Sequence, residues 1–70
     1  MSITIADGRT LIHRRRITFV DGRVEIFFTN DSTGFPRFDD AGVVRHYYHR
    51  DGQCADFCRA EIKTFVAIAE

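Results

Sequence analysis

The sequence predicts an α+β fold, a four-stranded antiparallel β-sheet (β-β-β-β-α) with one C-terminal helix packed on one face. Three observations lead there. Ile17-Thr18-Phe19-Val20-Asp21-Gly22-Arg23-Val24-Glu25-Ile26-Phe27-Phe28 is two alternating apolar runs joined by Asp-Gly. Asp-Gly recurs at Asp7-Gly8, in similar strand–turn–strand surroundings, and at Asp51-Gly52. The end of the chain, by contrast, spaces its apolar residues at the helical period.

The central hairpin comes first. Asp-Gly accepts the two positive φ angles of a type I′ turn, which predicts a two-residue loop and a fixed register. Phe19 then faces Val24, Ile17 faces Ile26 and Arg15 faces Phe28 on the side that becomes core. The other side pairs Thr18 with Glu25, Arg16 with Phe27 and Arg14 with Thr29, leaving Phe27 bare among arginines. Strands are expected at residues 2–5, 10–20, 23–29 and 43–49. In the second of these, Leu11, Ile17 and Phe19 share odd parity, whereas Ile12, opposite Ile3 across a two-residue first turn, is even. One regular strand buries only one set, so a bulge is expected near residues 13–16, or else a loosely formed first hairpin. Residues 30–42 read as a loop in which Phe35 and Phe38 flank Pro36, either pinned to the body or offered to a partner.

The helix follows. Asp51 is placed to cap it, and residues 54–69 contain no breaker. In helical projection Cys54, Ala55, Phe57, Cys58, Ile62, Phe65, Val66, Ile68 and Ala69 fill one half, with Asp56, Arg59, Lys63 and Glu70 at the centre of the other. Glu61 falls inside the apolar half, and Arg15 is a matching intrusion on the core side of the sheet. Two misplaced charges of opposite sign predict a structural ion pair between Arg15 and Glu61, with His13 or Arg45 as the other choices. The expected core gathers Ile17, Phe19, Val24, Ile26, Phe28, Phe57, Ile62, Phe65 and Val66.

Seventy residues with 44% hydrophobic and 13% aromatic side chains describe a single small domain over residues 1–70, not a disordered tail. Such a chain buries roughly 60% of its unfolded surface and gains from a staple or a partner. The formal net charge is zero, so no global field draws it to DNA or an anionic membrane. Residues 9–50 nevertheless carry eight arginines against five acids. Two cysteines make no disulfide framework, and neither a signal peptide nor a membrane-spanning stretch is expected. An intracellular, cytoplasmic location is expected.

Chemistry has few candidates. His46, His49, Cys54 and Cys58 contain metal-ligand residue types, but His46 and His49 lie an odd number apart on a strand and the thiols fall on the expected core face of the helix. No metal and no cofactor is expected. Cys54 in the first turn of a helix near His49 has a thiol enzyme's ingredients without room for its pocket. His49-Arg50-Asp51 and Asp39-Asp40 stand alone, without the surroundings that catalysis needs. No enzyme is expected.

Arginine interleaved with aromatics remains, and Arg14, Arg16, Phe27, Arg37 and Phe38 are the candidate binding residues. Such residues are enriched at the energetic centres of protein interfaces. They also stack and neutralise single-stranded nucleic acid. The expectation is therefore a small non-catalytic binding or regulatory protein that docks on another protein. By size and style it is expected among the regulators and inhibitors carried by phages and mobile elements, an association and not a physical deduction. A single-stranded nucleic-acid-binding module is the alternative, and a structural homodimer the third.

Overall fold

The computed structural model describes residues 2–32 and 34–68. Met1, Thr33 in the expected loop, and Ala69 and Glu70 at the expected helix end lie outside the described residues. The chain runs β1 (Ile3–Thr4), β2 (Thr10–Leu11), β3 (His13–Phe19), β4 (Val24–Thr29), β5 (Arg37–Phe38), β6 (Val44–Arg45), a 3-10 turn at Arg59–Glu61, and β7 (Ile62–Ile68). Three antiparallel sheets result: β1-β2, β4-β3-β7 and β5-β6.

The fold is β-rich and the predicted C-terminal helix is absent: the described residues hold no helix of seven residues or more. Residues 54–58 are extended instead, with Cys54 bridging Tyr48 and Cys58 bridging Val43. In β7 the β-branched residues Ile62, Thr64, Val66 and Ile68 recur at every second position, and branching at Cβ suits the pleated strand better than a helical turn. The Glu61 carboxylate accepts the Cys58 N–H at 2.7 Å, which ties the 3-10 turn that starts the strand. Its misfit in the helical projection has this cause.

A single turn geometry recurs four times among the described residues. At Phe19–Arg23 the Phe19 N–H donates to the Arg23 carbonyl at 2.8 Å and the Gly22 N–H to the Phe19 carbonyl at 2.9 Å. Gly22 has φ of +94° whereas Asp21 does not have a positive φ. This is a type I turn closed by a left-handed glycine bulge, a three-residue loop, and not the two-residue type I′ turn. The same bonds close Ile5–Arg9, Asp39–Val43 and His49–Gln53. An aspartate fixes each of them, as where Asp21 Oδ1 accepts the Arg23 N–H at 2.9 Å.

The extra loop residue moves the register by one. Arg15 pairs with Phe27, Arg16 with Ile26, Ile17 with Glu25 and Thr18 with Val24. The first hairpin shifts likewise, so Ile3 pairs with Leu11 rather than Ile12. Leu11 is buried and Ile12 exposed, which removes the parity conflict. The interruption falls at Ile12 and not at residues 13–16. There the Asn30 side chain stands in for a strand neighbour, accepting the Ile12 N–H at 3.0 Å and donating to the Thr10 carbonyl at 2.8 Å.

The main core joins Ile17, Phe19 and Phe27 of the large sheet to Val44, Tyr47, Ala55 and Phe57 of the layer beneath it, with Phe38, Ile62 and Phe65 at its margin. A second cluster, Ile5, Leu11, Phe28 and Tyr48, closes the far end of β4. There Phe28 and Tyr48 exchange both backbone hydrogen bonds, at 2.8 and 2.9 Å. Of the expected core, Val24, Ile26 and Val66 are outside it.

Candidate docking face on the open side of the sheet

Successive side chains of β3 alternate between the two sides of the sheet. Arg15, Ile17 and Phe19 point into the core and are buried. Arg14, Arg16 and Thr18 therefore line the opposite side. On that side Thr18 sits between Val24 and Thr64, Arg16 between Ile26 and Val66, and Arg14 between Phe28 and Ile68. Val24 is 57% exposed, Ile26 38% and Val66 40%. No aspartate or glutamate occupies any of these nine ladder positions.

Arg16 is exposed at the centre of this face, and its side chain makes no hydrogen bond or ion pair with a described residue. Its situation differs from that of the turn arginines. Arg9 Nε lies 2.6 Å from Asp7 Oδ2 and Arg23 Nε 2.8 Å from Asp21 Oδ2. These donors hold Asp7 and Asp21 below the usual carboxylate range, the backbone N–H groups of Arg9 and Arg23 first. Arg14 is half-buried and engaged. At the Phe28 end Arg50 covers the ring, its guanidinium carbon 5.9 Å from the centroid. The face is thus an aliphatic rim around one uncommitted guanidinium, a weakly hydrated cation that pairs bidentately with carboxylate.

The structure separates the sequence-predicted residues. Arg14 and Arg16 lie on the open face. Phe27 does not: it is 1% exposed, with the Phe57 ring 5.0 Å and the His49 ring 5.2 Å from its own. The one-residue register shift turned it inward, so it is no docking anchor. Arg37 and Phe38 lie in β5, in the layer that covers the other side of the sheet, and do not extend this face. Val24, Ile26 and Val66 are the residues that sequence reasoning missed, because the two-residue turn and the helix placed all three in the core.

The Arg15–Glu61 pair is not formed. Arg15 is buried, but Glu61 is exposed and engaged with the Cys58 N–H. The Arg15 guanidinium donates to the Arg14 carbonyl at 2.9 Å and the Asp31 carbonyl at 3.4 Å, and it acts against the upward shift of the Tyr47 hydroxyl. The main chain supplies what the carboxylate was expected to. Both cysteines are free thiols and exposed, not core residues. No three His, Cys, Asp or Glu side chains among the described residues converge as a metal site. A cleft of 280 Å³ between Arg9, Leu11, Asn30, Asp31, Arg37 and His46 holds two further arginines. Each is matched by a carboxylate, Arg37 by Asp31 at 3.2 Å and Arg9 by Asp7, so the cleft presents no uncompensated cation.

No protein-family model matches the chain, and neither a curated protein nor a solved structure is significantly similar to it. No helix among the described residues is long and apolar enough to cross a membrane.

Proposed function

We propose that this chain is a small protein-binding module whose open sheet face seats an acidic, partly apolar surface of another protein. The observation that carries it is the unpaired Arg16 side chain between the exposed Ile26 and Val66, where none of the nine described ladder positions on this side carries an acid. Apolar side chains ringing one guanidinium match the usual anatomy of an interface centre, where water exclusion strengthens the charged hydrogen bonds. A carboxylate on the partner completes the charge. Single-stranded nucleic acid finds less here: Phe28, the one aromatic residue among the nine ladder positions on this side, is fully buried, so these positions give bases no exposed ring to stack on.

The test uses interacting proteins recovered with the intact chain, whose binding is then measured with purified variants. Arg16→Glu and Ile26→Ala should each weaken binding by about 2 kcal/mol or more, as truncations at an interface centre do. Their melting temperatures should stay near that of the wild type. Arg45→Glu, at an exposed position of β6 in the layer on the other side of the sheet, should bind normally. Normal binding by both Arg16→Glu and Ile26→Ala would move the interface elsewhere. Retardation of single-stranded RNA or DNA at moderate salt, lost with Arg16→Glu, would replace the protein partner by nucleic acid.

A further inference from the structure

We infer that two copies of this chain pair antiparallel along the outer edge of β7, about a two-fold axis between their Phe65 backbones. The result is one continuous six-stranded sheet. β7 is an edge strand in the order β4-β3-β7 and, with β3, the longest strand in the protein. The described residues provide no backbone partner for residues 63–68 apart from β3. The other edges are shorter. β1, β2, β5 and β6 are two residues long, and Tyr48 occupies the outer edge of β4 at Phe28. What is left of the β4 edge, residues 24–27, carries the charge of Glu25.

Natural sheets guard such an edge with charge, proline, a bulge or a cover. In β7 the guards are confined to one end, where Lys63 falls at the register shift opposite Thr18 and Phe19. Residues 64–68 carry no charge and no proline.

The strand's own sequence argues for a second copy as the occupant. Phe65 is the midpoint of Ile62–Ile68, so only the register centred there pairs all seven residues. It sets Ile62 against Ile68 of the second copy, Thr64 against its Val66, and Lys63 against its Ala67. No like charges meet in this arrangement, whereas a parallel pairing in register would stack lysine on lysine. A net charge of zero adds no long-range repulsion between copies. The interface is isologous, as closed dimers require. It uses the backbone edge and stands independently of the docking face.

The register makes a specific demand on Lys63 and Ala67. Sedimentation velocity of the wild type over a wide concentration range should show a monomer–dimer equilibrium. Ala67→Lys sets two like-charge pairs across the axis and should weaken dimerisation roughly ten-fold. Adding Lys63→Glu to that variant converts both to opposite-charge pairs and should restore the dimer, which a mere loss of folding would not allow. Circular dichroism of each variant confirms the sheet. A wild type that stays monomeric at every concentration overturns the inference, and so does a dimer indifferent to Ala67→Lys or not rescued by Lys63→Glu. Arg16→Glu should leave the dimer intact, so failure of the docking reading and failure of this one are separately visible.

Discussion

Burial pushes the Tyr47 hydroxyl up to about 12, with Arg15 working against the rise and Asp31 adding to it. The sign of the consequence follows from linkage. Below pH 10 the hydroxyl keeps its proton in both states, so its contribution to stability is complete. As pH rises from 10 toward about 12 the unfolded chain ionises first, and stability falls. Urea unfolding midpoints of the wild type should therefore drop on the alkaline side of pH 10, and Tyr47→Phe should flatten that drop. Equal slopes for the two proteins would contradict the buried hydroxyl. At this scale the sequence announced that Arg15 was out of place and could not announce its partners. They are main-chain carbonyls, and every residue offers one, so no composition marks the one that a distant guanidinium will reach.

Among the elements, the end of the chain separates the helical reading from the observed strand most sharply at Gly52. In a helix, replacing glycine by alanine gains stability. Here Gly52 has φ of +94°, and an added Cβ would make only ordinary contact with Ile5, at 3.9 Å from Cγ2 and 4.0 Å from Cα. Backbone strain, with no collision, decides the outcome, and Gly52→Ala should cost about 1–2 kcal/mol. A melting temperature that rises would reinstate the helix. The strand was legible in the alternation of Ile62, Thr64, Val66 and Ile68. It lost to a helical reading because Phe57, Cys54 and Cys58 extended the apolar count backward at a period of three to four. Those residues belong to extended chain that bridges Tyr48 and Val43, and long-range pairing of this kind leaves no local period.

Across the whole molecule, the placement of a candidate interface turned on one residue of loop length. Asp-Gly serves both the type I′ turn and the type I turn with a glycine bulge, and a one-residue difference sends every side chain of β4 to the other side. The central hairpin alone does not choose between them, since Val24, Ile26 and Phe28 make as plausible a core strip as Phe27 with Thr29. The first hairpin held the discriminating signal: a three-residue loop puts Leu11 opposite Ile3 and in phase with Ile17 and Phe19, and the parity conflict disappears. Arg14 and Arg16 were found on the open face because the alternation within β3 survives either turn. The apolar half of the face came only with the fold.

The docking face stands on that register, and thermal and urea unfolding of Phe27→Ala beside Ile26→Ala measures it directly. Phe27 is 1% exposed at the centre of the main core, so its truncation should cost about 3–5 kcal/mol and leave little of so small a domain folded. Ile26 is 38% exposed on the open side, and its truncation should cost no more than about 1 kcal/mol. The reverse order, with Phe27→Ala melting like the wild type and Ile26→Ala unfolded, would restore the two-residue turn and take the face away.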